Sequence, residues 1–354
     1  MARLHRSLNT MYLTVVILES RQSTIQRCET DGSEVIKLGA SEDWDSSKYL
    51  IDNDGRRLFE EIIRRVRSFW DKNPGPTEGV ALTLPGTLAD ADTIISSSRL
   101  GIRDRVYVSQ ILSGGLGVPC KAFHDVECLA IGEDQQASRN ANIATKTNNT
   151  LVYIFAEEGI GSKIIINGTT YTGAGVAGLL GRLTVQPDGS YFRALAARGP
   201  LEVFSSRPWV SENLVGTYMS EQDKQGASPE ALERTKFRRA LRVAAGGDWR
   251  SIDYGHIADG IANQDPIAVS VLDVAARYLG FAINSVITIL HPHRIVLGGA
   301  MFTRLPGFAD QVTGYARRYS WPNAWNSITL TVSSLGRQAQ VYGAVEMWVR
   351  TSLH

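Results

Sequence analysis

The strongest pattern of apolar and polar positions lies near the middle of this 354-residue chain. Two apolar runs with β-branched and aromatic members, residues 151–155 and 163–166, are separated by a turn that contains Gly159 and Gly161. Asn167-Gly168 follows the second run, and this pair favours a type I′ turn because both central positions of that turn require positive φ. The pattern predicts a β-hairpin, a second tight turn and then a glycine-rich loop.

Elsewhere, segments of helical periodicity alternate with short apolar strands. The predicted helices cover residues 55–71, 228–245, 265–290 and 339–352, and a further helix begins near Asp125. The predicted strands cover residues 11–18, 79–84, 118–123 and 295–299, and the first of them opens a meander that extends to residue 38. The arginines of the first two helices are interpreted as solvated faces and not as nucleic-acid patches. This alternation is compatible with an α/β fold.

Composition and charge narrow the class of protein without indicating an activity. With 43% hydrophobic and 21% charged residues the chain is globular, and its length suits two lobes better than one core. A net charge of +1 gives no general attraction to nucleic acid or to anionic membrane. No uninterrupted apolar run reaches the roughly 18 residues of a membrane span. The run 11–18 lacks the cleavage site of a secretory signal.

The cysteines are few and scattered. Cys28, Cys120 and Cys128 form an odd set without CxxC spacing, so they support neither a disulfide framework nor a zinc site. A reducing, cytoplasmic location fits this usage best.

Several short motifs occur in the order that is typical of one known family. They are the hairpin and loop described above, Leu84-Pro85-Gly86, His124-Asp125-Val126, residues 184–189 (TVQPDG), residues 292–299 (PHRIVLGG) and residues 333–344 (SSLGRQAQVYGA). In these motifs the chain resembles the ROK family of sugar kinases, sugar-responsive repressors and related open reading frames. The resemblance covers nearly all of the chain after Tyr12.

This resemblance implies an actin-like α/β fold of the sugar-kinase and Hsp70 class, with two lobes and a ligand cleft between them. It places residues 11–130 and 339–354 in the N-terminal lobe and residues 131–338 in the C-terminal lobe. It also implies a homodimer. Because only ten residues precede the first predicted strand, the winged helix through which family repressors bind DNA is not expected. Neither nucleic acid nor membrane is therefore an expected partner.

By resemblance, the chemical centre is the junction between the strand 118–123 and the helix that follows it. The family has an Asn-Asp pair here, in which the Asn orients a sugar hydroxyl and the Asp is the general base for attack on the ATP γ-phosphate. This chain has His124 and Asp125, followed by Glu127 in place of a second Asn. Asp125 is the candidate general base, and the alternative is that it only caps the helix. Arg99 stands where the family has a sugar-binding Asn.

Both phosphate-binding turns of the family are altered. Residues 17–24 replace an Asp and a Gly-Gly-Thr, and their side chains prevent the close approach of backbone amides to phosphate. Glu157 and Glu158 replace a Gly-Thr, and two carboxylates beside a triphosphate repel it. ATP binding in the usual mode is therefore not expected. The remaining weak nucleotide-binding candidates are Gly159, Gly161, Gly298 and Gly299. Close helix packing explains the last two equally well.

The zinc site of the family is also missing. Residues that cannot ligate zinc stand at its four ligand positions: Arg182, Arg193, Leu195 and Pro200. Leu179 replaces a Glu that bonds sugar hydroxyls, and Glu202 alone remains from this set. No zinc is expected, and the loop must be held by packing through Phe192, Leu195 and Phe204.

Three functions remain open. The leading hypothesis is a catalytically silent ROK-like protein that binds a sugar-derived or other small polar ligand, as a sensor or as a partner in a pathway. The second is an active carbohydrate or cyclitol kinase with Asp125 as general base, which would need Mg-ATP as cofactor. The third is a different reaction in the same cleft.

The candidate ligand-binding set is more basic than that of the family. It consists of Arg99, His124, Asp125, Glu127, Arg182 and Glu202. Guanidinium groups present forked donors that suit carboxylate or phosphate. If Arg99 and Arg182 face the ligand, an acidic or phosphorylated sugar or cyclitol is expected in preference to a neutral hexose. The alternative is that both arginines pair internally with Glu127 or Glu202.

Overall fold

The structure, a computed structural model, describes residues 10–32, 35–50, 55–140, 149–222 and 235–352. The chain divides into two compact units: unit 1 consists of Met1–Thr145 and Leu335–His354, and unit 2 consists of Lys146–Ser334. The first boundary falls after residue 145 and not, as the resemblance implies, after residue 130. The reason is that residue 130 lies inside a helix that packs on the C-terminal helix of the same unit.

The order of the elements agrees with the predicted alternation. The strands are β1 Met11–Ile17, β2 Gln22–Thr30, β3 Val35–Asp45, β4 Gly79–Leu84, β5 Thr87–Leu88, β6 Ile94–Ser96, β7 Cys120–His124, β8 Thr150–Ala156, β9 Ile160–Ile166, β10 Thr169–Tyr171, β11 Tyr191–Phe192, β12 Ala197–Arg198, β13 Arg294–Gly298 and β14 Thr329–Val332. The helices are α1 Arg56–Lys72, α2 Val108–Leu116, α3 Asp125–Asn140, α4 Glu202–Ser205, α5 Arg207–Gln222, α6 Lys236–Ala245, α7 Tyr254–Ala262, α8 Pro266–Leu290, α9 Ala300–Arg304, α10 Phe308–Tyr319, α11 Pro322–Asn326 and α12 Arg337–Ser352.

Unit 1 is built on a five-stranded sheet with the order β3-β2-β1-β4-β7. The first three strands pair antiparallel, which confirms the predicted meander. β4 runs parallel to β1, and β7 runs parallel to β4. The predicted amphipathic helix is confirmed as α1, whose residues Leu58, Ile62 and Val66 are buried. The carboxyl ends of β1, β4 and β7 consequently lie at one edge of the sheet.

Two glycines allow α3 and α12 to cross at backbone contact in unit 1. A methyl group added at Gly132 would lie 1.9 Å from the carbonyl oxygen of Ala339, and one added at Gly343 would lie 1.8 Å from that of Cys128. These distances are too short for any side chain larger than hydrogen. The crossing therefore holds the C-terminal helix against α3.

Unit 2 contains a second five-stranded sheet with the order β10-β9-β8-β13-β14. The predicted hairpin is confirmed as the antiparallel pair β8 and β9. Asn167 and Gly168 have φ values of 54° and 78°, as a type I′ turn requires. The predicted start of helix 228–245 at Ser228 lies outside the described residues. The described part, α6, begins after Thr235, whose hydroxyl accepts a hydrogen bond from the amide of Arg238.

The long helix of unit 2 is a core helix. α8 begins after its N-cap Asp265, as predicted, and its buried residues include Leu272, Leu279 and Ile283. By length and composition α8 is the one helix among the described residues that could cross a membrane. The search of the sequence for uninterrupted apolar runs did not identify this helix as a possible span. Of its most apolar window, 56% is buried inside the protein, which is typical of a helix at the centre of a globular core.

The helix crossing predicts a strong effect of one methyl group. We expect Gly343→Ala to lower the free energy of unfolding by about 2 kcal/mol or more, because the added carbon overlaps backbone that cannot move independently. Urea denaturation followed by circular dichroism measures the change. Gly114→Ala in α2 is the control, since its added methyl group meets no atom within 4 Å. Equal midpoints for the two variants would contradict the prediction.

Candidate functional site

The carboxyl edge of the unit 1 sheet gathers the site residues predicted for this unit. Ile17 pairs with Thr83, and Leu84 pairs with His124, so β1, β4 and β7 end side by side. The segments that follow these three strands are the turn 18–23, Pro85-Gly86 and the start of α3. In open α/β sheets ligands bind outside the carboxyl ends of the strands. We therefore take this edge as the candidate ligand site of unit 1.

Asp125 is the first residue of α3, directly after β7. Only 7% of its surface is exposed. Its Oδ1 accepts a hydrogen bond of 2.7 Å from the amide of Val126 and lies 3.1 Å from Nδ1 of His124. The bond to the Val126 amide resembles the contact expected if Asp125 only caps the helix. Asp125 also lies at the edge of the sheet where a ligand-facing base is expected. Glu127 is half-buried in the same helical turn.

Arg99 lies at the tip of a tight turn that is fastened to the end of β4. The amides and carbonyls of Ser97 and Ile102 bond each other at 2.8 and 2.9 Å. The hydroxyl of Ser97 donates to the carbonyl of Pro85, and Gly86 is packed too closely against Ser96 to carry a side chain. Arg99 itself is half-buried and forms no hydrogen bond or ion pair with another described residue.

The turn at the position of the first phosphate loop uses its polar groups internally. The amide of Glu19 donates to Ser23 Oγ at 3.0 Å, and Ser23 Oγ in turn bonds Ser46 Oγ at 2.9 Å. The Glu19 carboxylate lies 3.2 Å from the guanidinium of Arg337, which also donates to Thr24 Oγ1. No local pattern in the sequence indicates this clamp, the contact of Arg337 with Glu19 and Thr24, because Arg337 is more than three hundred residues away along the chain.

The corresponding edge of unit 2 is formed by the ends of β8 and β13. Phe155 pairs with Gly298 in parallel register, so Glu157 follows β8 close to the point where Gly299 follows β13. The Glu157 carboxylate accepts a hydrogen bond of 3.4 Å from the amide of Ala300, at the start of α9. An internal carboxylate therefore contacts the backbone directly after the glycine pair.

Glu158 forms a two-pronged ion pair with a buried arginine. Its carboxylate oxygens lie 2.5 and 2.7 Å from Nε and Nη2 of Arg207, which is 3% exposed and also donates to the carbonyl of Ile252. Burial by itself lowers the pKa of Arg207, but the hydrogen bonds and charge of Glu158 outweigh burial, and the net pKa is raised. Burial, followed by the charges of Glu157 and Glu158, raises the pKa of Tyr254.

Two of the four candidate glycines have packing roles. A side chain at Gly298 would begin 1.8 Å from the hydroxyl of Tyr153, and Gly299 has a φ of 95°. Gly159 is buried, and neither it nor Gly161 has positive φ. Close packing therefore suffices to explain Gly298 and Gly299 without a nucleotide.

The loop at the position of the zinc knuckle is held mainly by backbone hydrogen bonds. Val185 donates to Gly199 at 2.9 Å, and Leu201 donates to Leu183 at 2.8 Å. Arg182 Nη1 donates to the carbonyl of Leu195 at 2.7 Å. Packing contributes through two aromatic pairs: Phe192 with Trp209 and Phe204 with Tyr278. Leu195 supplies the carbonyl that accepts the bond from Arg182. Across the described ranges, no three His, Cys, Asp or Glu side chains cluster as metal ligands.

The predicted pairing of Arg182 with Glu202 is wrong. Glu202 is the first residue of α4, and its Oε2 accepts a hydrogen bond of 2.9 Å from the amide of Ile160 in the hairpin. Arg182 is exposed and bonds the carbonyl of Leu195. Both side chains are therefore engaged in holding loops of unit 2. Arg99 likewise does not pair with Glu127.

Comparison with solved structures identifies the class. The chain is similar to a ROK family glucokinase from Streptomyces griseus in complex with glucose and AMPPNP, with a TM-score of 0.73 and 17% identity over 96% of this chain and 99% of that chain. The structure is therefore an α/β protein with the actin-like ATPase fold of sugar kinases, as predicted. A sequence profile of the ROK family matches residues 46–351. The chain belongs to the ROK family.

Curated relatives include both enzymes and regulators. A glucokinase of Halalkalibacterium halodurans is 25% identical over 267 residues, which cover 75% of this chain and 74% of the relative. A xylose repressor of Bacillus spizizenii is 21% identical over 287 residues, which cover 81% of this chain and 65% of the repressor. Because relatives of both kinds match, membership of the family alone does not decide between catalysis and regulation.

The buried ion pair predicts that removing one partner destabilises unit 2. Glu158→Gln leaves the Arg207 charge buried without its carboxylate, so we expect a loss of about 3 kcal/mol in the free energy of unfolding. Glu212→Gln, at an exposed position of α5, is the matched control and should be neutral. Thermal and urea unfolding measure both variants. A double variant that combines Glu158→Gln with Arg207→Met should recover part of the loss. If Glu158→Gln alone were as stable as the wild type, the ion pair of Glu158 with Arg207 would not stabilise unit 2.

The replaced zinc positions predict a metal-independent loop. We expect purified protein to contain no stoichiometric zinc, because arginine, leucine and proline side chains are not zinc ligands. Its melting temperature should be unchanged by a chelator. Elemental analysis and differential scanning fluorimetry measure these two properties. One zinc per chain would mean that the positions assigned to the knuckle are wrong.

Proposed function

We propose that this ROK family protein binds a sugar-derived small molecule as a sensor or pathway partner, and that it does not bind Mg-ATP in the manner of the sugar kinases. The observation that carries the proposal is that the turns at both phosphate-loop positions have their polar groups engaged inside the protein. One such turn lies in each unit. A nucleotide phosphate would have to displace these contacts.

In unit 1 the turn 18–23 offers no glycine amides to a phosphate. Its Glu19 amide bonds Ser23, and the Glu19 carboxylate is held by Arg337. A carboxylate at this position repels an approaching triphosphate, whereas glycine amides attract it.

In unit 2 the carboxylates of Glu157 and Glu158 make the contacts that a nucleotide phosphate would otherwise make. Glu157 bonds the amide of Ala300, and Glu158 neutralises Arg207. Moving either carboxylate aside would expose a buried cation or an unsatisfied amide, and each of these costs free energy. A nucleotide would therefore gain little by binding here.

A sugar-like ligand is supported by the relatives and by the retained edge of unit 1. The names of the two curated relatives refer to glucose and xylose, and the Streptomyces griseus structure contains glucose. At the carboxyl edge of unit 1 the polar residues proposed for ligand binding are Arg99, His124, Asp125 and Glu127. Such residues supply the few directed polar contacts that fix a small hydroxylated ligand in a site.

An active kinase is the second candidate, and the position of Asp125 favours it. Its carboxylate is retained at the start of α3, where a general base for a sugar hydroxyl would stand. In that case Mg-ATP would bind by contacts other than the two altered turns.

We also propose, from family membership, a cytoplasmic homodimer. Light scattering after gel filtration would measure its mass.

The proposed function predicts no saturable binding of Mg-ATP. Calorimetric titration of the wild-type protein to millimolar nucleotide should give only the heat of dilution, because both phosphate positions are occupied by internal contacts. The Streptomyces griseus glucokinase, titrated identically, is the positive control. Saturable heat together with phosphate transfer to any sugar in a hexose and cyclitol panel would overturn the proposal in favour of the kinase.

A further inference from the structure

Arg99 differs from the ion-paired arginines near the carboxyl edge of unit 1. Arg337 is held by Glu19, and Arg65 is held by Glu61. Arg99 is half-buried but has no acceptor among the described residues. A guanidinium group carries five N–H donors and stays charged at any physiological pH. A partly desolvated guanidinium without an acceptor is unfavourable, and a bound anion would relieve this.

The position of Arg99 is fixed by the fold. Its turn is closed by the Ser97 and Ile102 hydrogen bonds and fastened to Pro85 at the end of β4. Because β4 neighbours β7, this end of the sheet also carries Asp125. The Asp125 carboxylate already accepts a hydrogen bond from the amide of Val126. Arg99 is therefore held at the ligand edge by backbone contacts and not by an ion pair of its own.

Arg182, the other basic replacement in the candidate set, has a different role. It is exposed, and its guanidinium donates to the Leu195 carbonyl across the loop that replaces the zinc knuckle. It therefore acts as a structural contact in unit 2. Of the two arginines, only Arg99 in unit 1 is therefore left to bind an anionic group of a ligand.

We propose that Arg99 recognises the anionic group of the ligand, which is a sugar or cyclitol bearing a phosphate or a carboxylate. This inference rests on the proposed function, because it assumes that a sugar-derived ligand binds at the carboxyl edge of unit 1. Phosphate and carboxylate share the planar pairs of oxygens that match the two-pronged donors of arginine. A neutral hexose would leave the Arg99 guanidinium without such an acceptor.

The test compares each neutral sugar with an anionic derivative of the same sugar. Glucose, mannose and N-acetylglucosamine are each titrated beside their 6-phosphates, and glucose also beside glucuronate, by calorimetry and thermal shift. Inorganic phosphate alone reports charge without a sugar. The proteins are the wild type, Arg99→Gln, Arg99→Lys and the control Arg103→Gln, which removes an exposed arginine four residues further along the same hairpin.

We expect the wild type to bind at least one charged sugar about tenfold more tightly than its neutral partner, the range of one charge-assisted hydrogen bond. Arg99→Gln should abolish this difference, Arg99→Lys should keep part of it, and Arg103→Gln should keep all of it. The phosphate and glucuronate arms identify which anion is preferred.

Other outcomes separate the claim that Arg99 recognises an anionic group from the proposed function. Equal binding of neutral and charged sugars by the wild type, unchanged in Arg99→Gln, would overturn the anionic ligand and leave the proposed function standing. If Arg103→Gln abolishes the preference as fully as Arg99→Gln does, the assignment of anion recognition to Arg99 is overturned and the proposed function again stands. Binding of inorganic phosphate as tight as that of any sugar phosphate would show that the sugar is not recognised. If no sugar binds the folded wild type, the proposed function itself fails.

Discussion

Unit 1 depends on the backbone contact between α3 and α12. Gly132 and Gly343 bring each helix within van der Waals distance of carbonyl groups on the other, so their separation is set by backbone and not by adjustable side chains. β7 continues directly into α3, and Gln340 of α12 bonds Thr83 of β4 in the core. The helix starts that carry Asp125 and Arg337 are therefore both held at the carboxyl edge of the sheet. One packing constraint positions the candidate base and the clamp on the turn 18–23.

The altered phosphate positions share one physical principle. Where glycine amides would bind an anion, this protein supplies its own carboxylates and gives each of them an internal partner. Glu19 contacts Arg337, Glu157 contacts the amide of Ala300, and Glu158 contacts Arg207. Glu158 is the partner of a buried cation, so this replacement depends on its pair, whereas Glu19 and Arg337 form a more exposed pair that contributes less to stability. The fold of the sugar kinases is kept, and under the proposed function these carboxylates repel phosphate at both turns.

The loop at the former zinc position shows a second kind of replacement. A metal holds several segments together through strong bonds to a few side chains, and its loss removes all of them at once. Here a short ladder of backbone hydrogen bonds, the Arg182 contact to Leu195 and two aromatic pairs connect the same segments. Each contact is weak, but together they hold the loop without depending on the redox state or metal supply of the cell.

The sequence alone determined the family, the α/β class and most elements, because apolar periodicity, the Asn167-Gly168 turn and the order of the motifs are local properties. It also located Asp125 at a strand end, and the loss of the phosphate and zinc residues stays a prediction from the resemblance. Only the tertiary structure decided what these residues contact. Arg207 and Arg337 carried no local signal. The sequence left open whether Arg182 binds a ligand or pairs with Glu202, and in the structure both side chains bond backbone. Partners distant in sequence are chosen by packing, and periodicity contains no information about that choice.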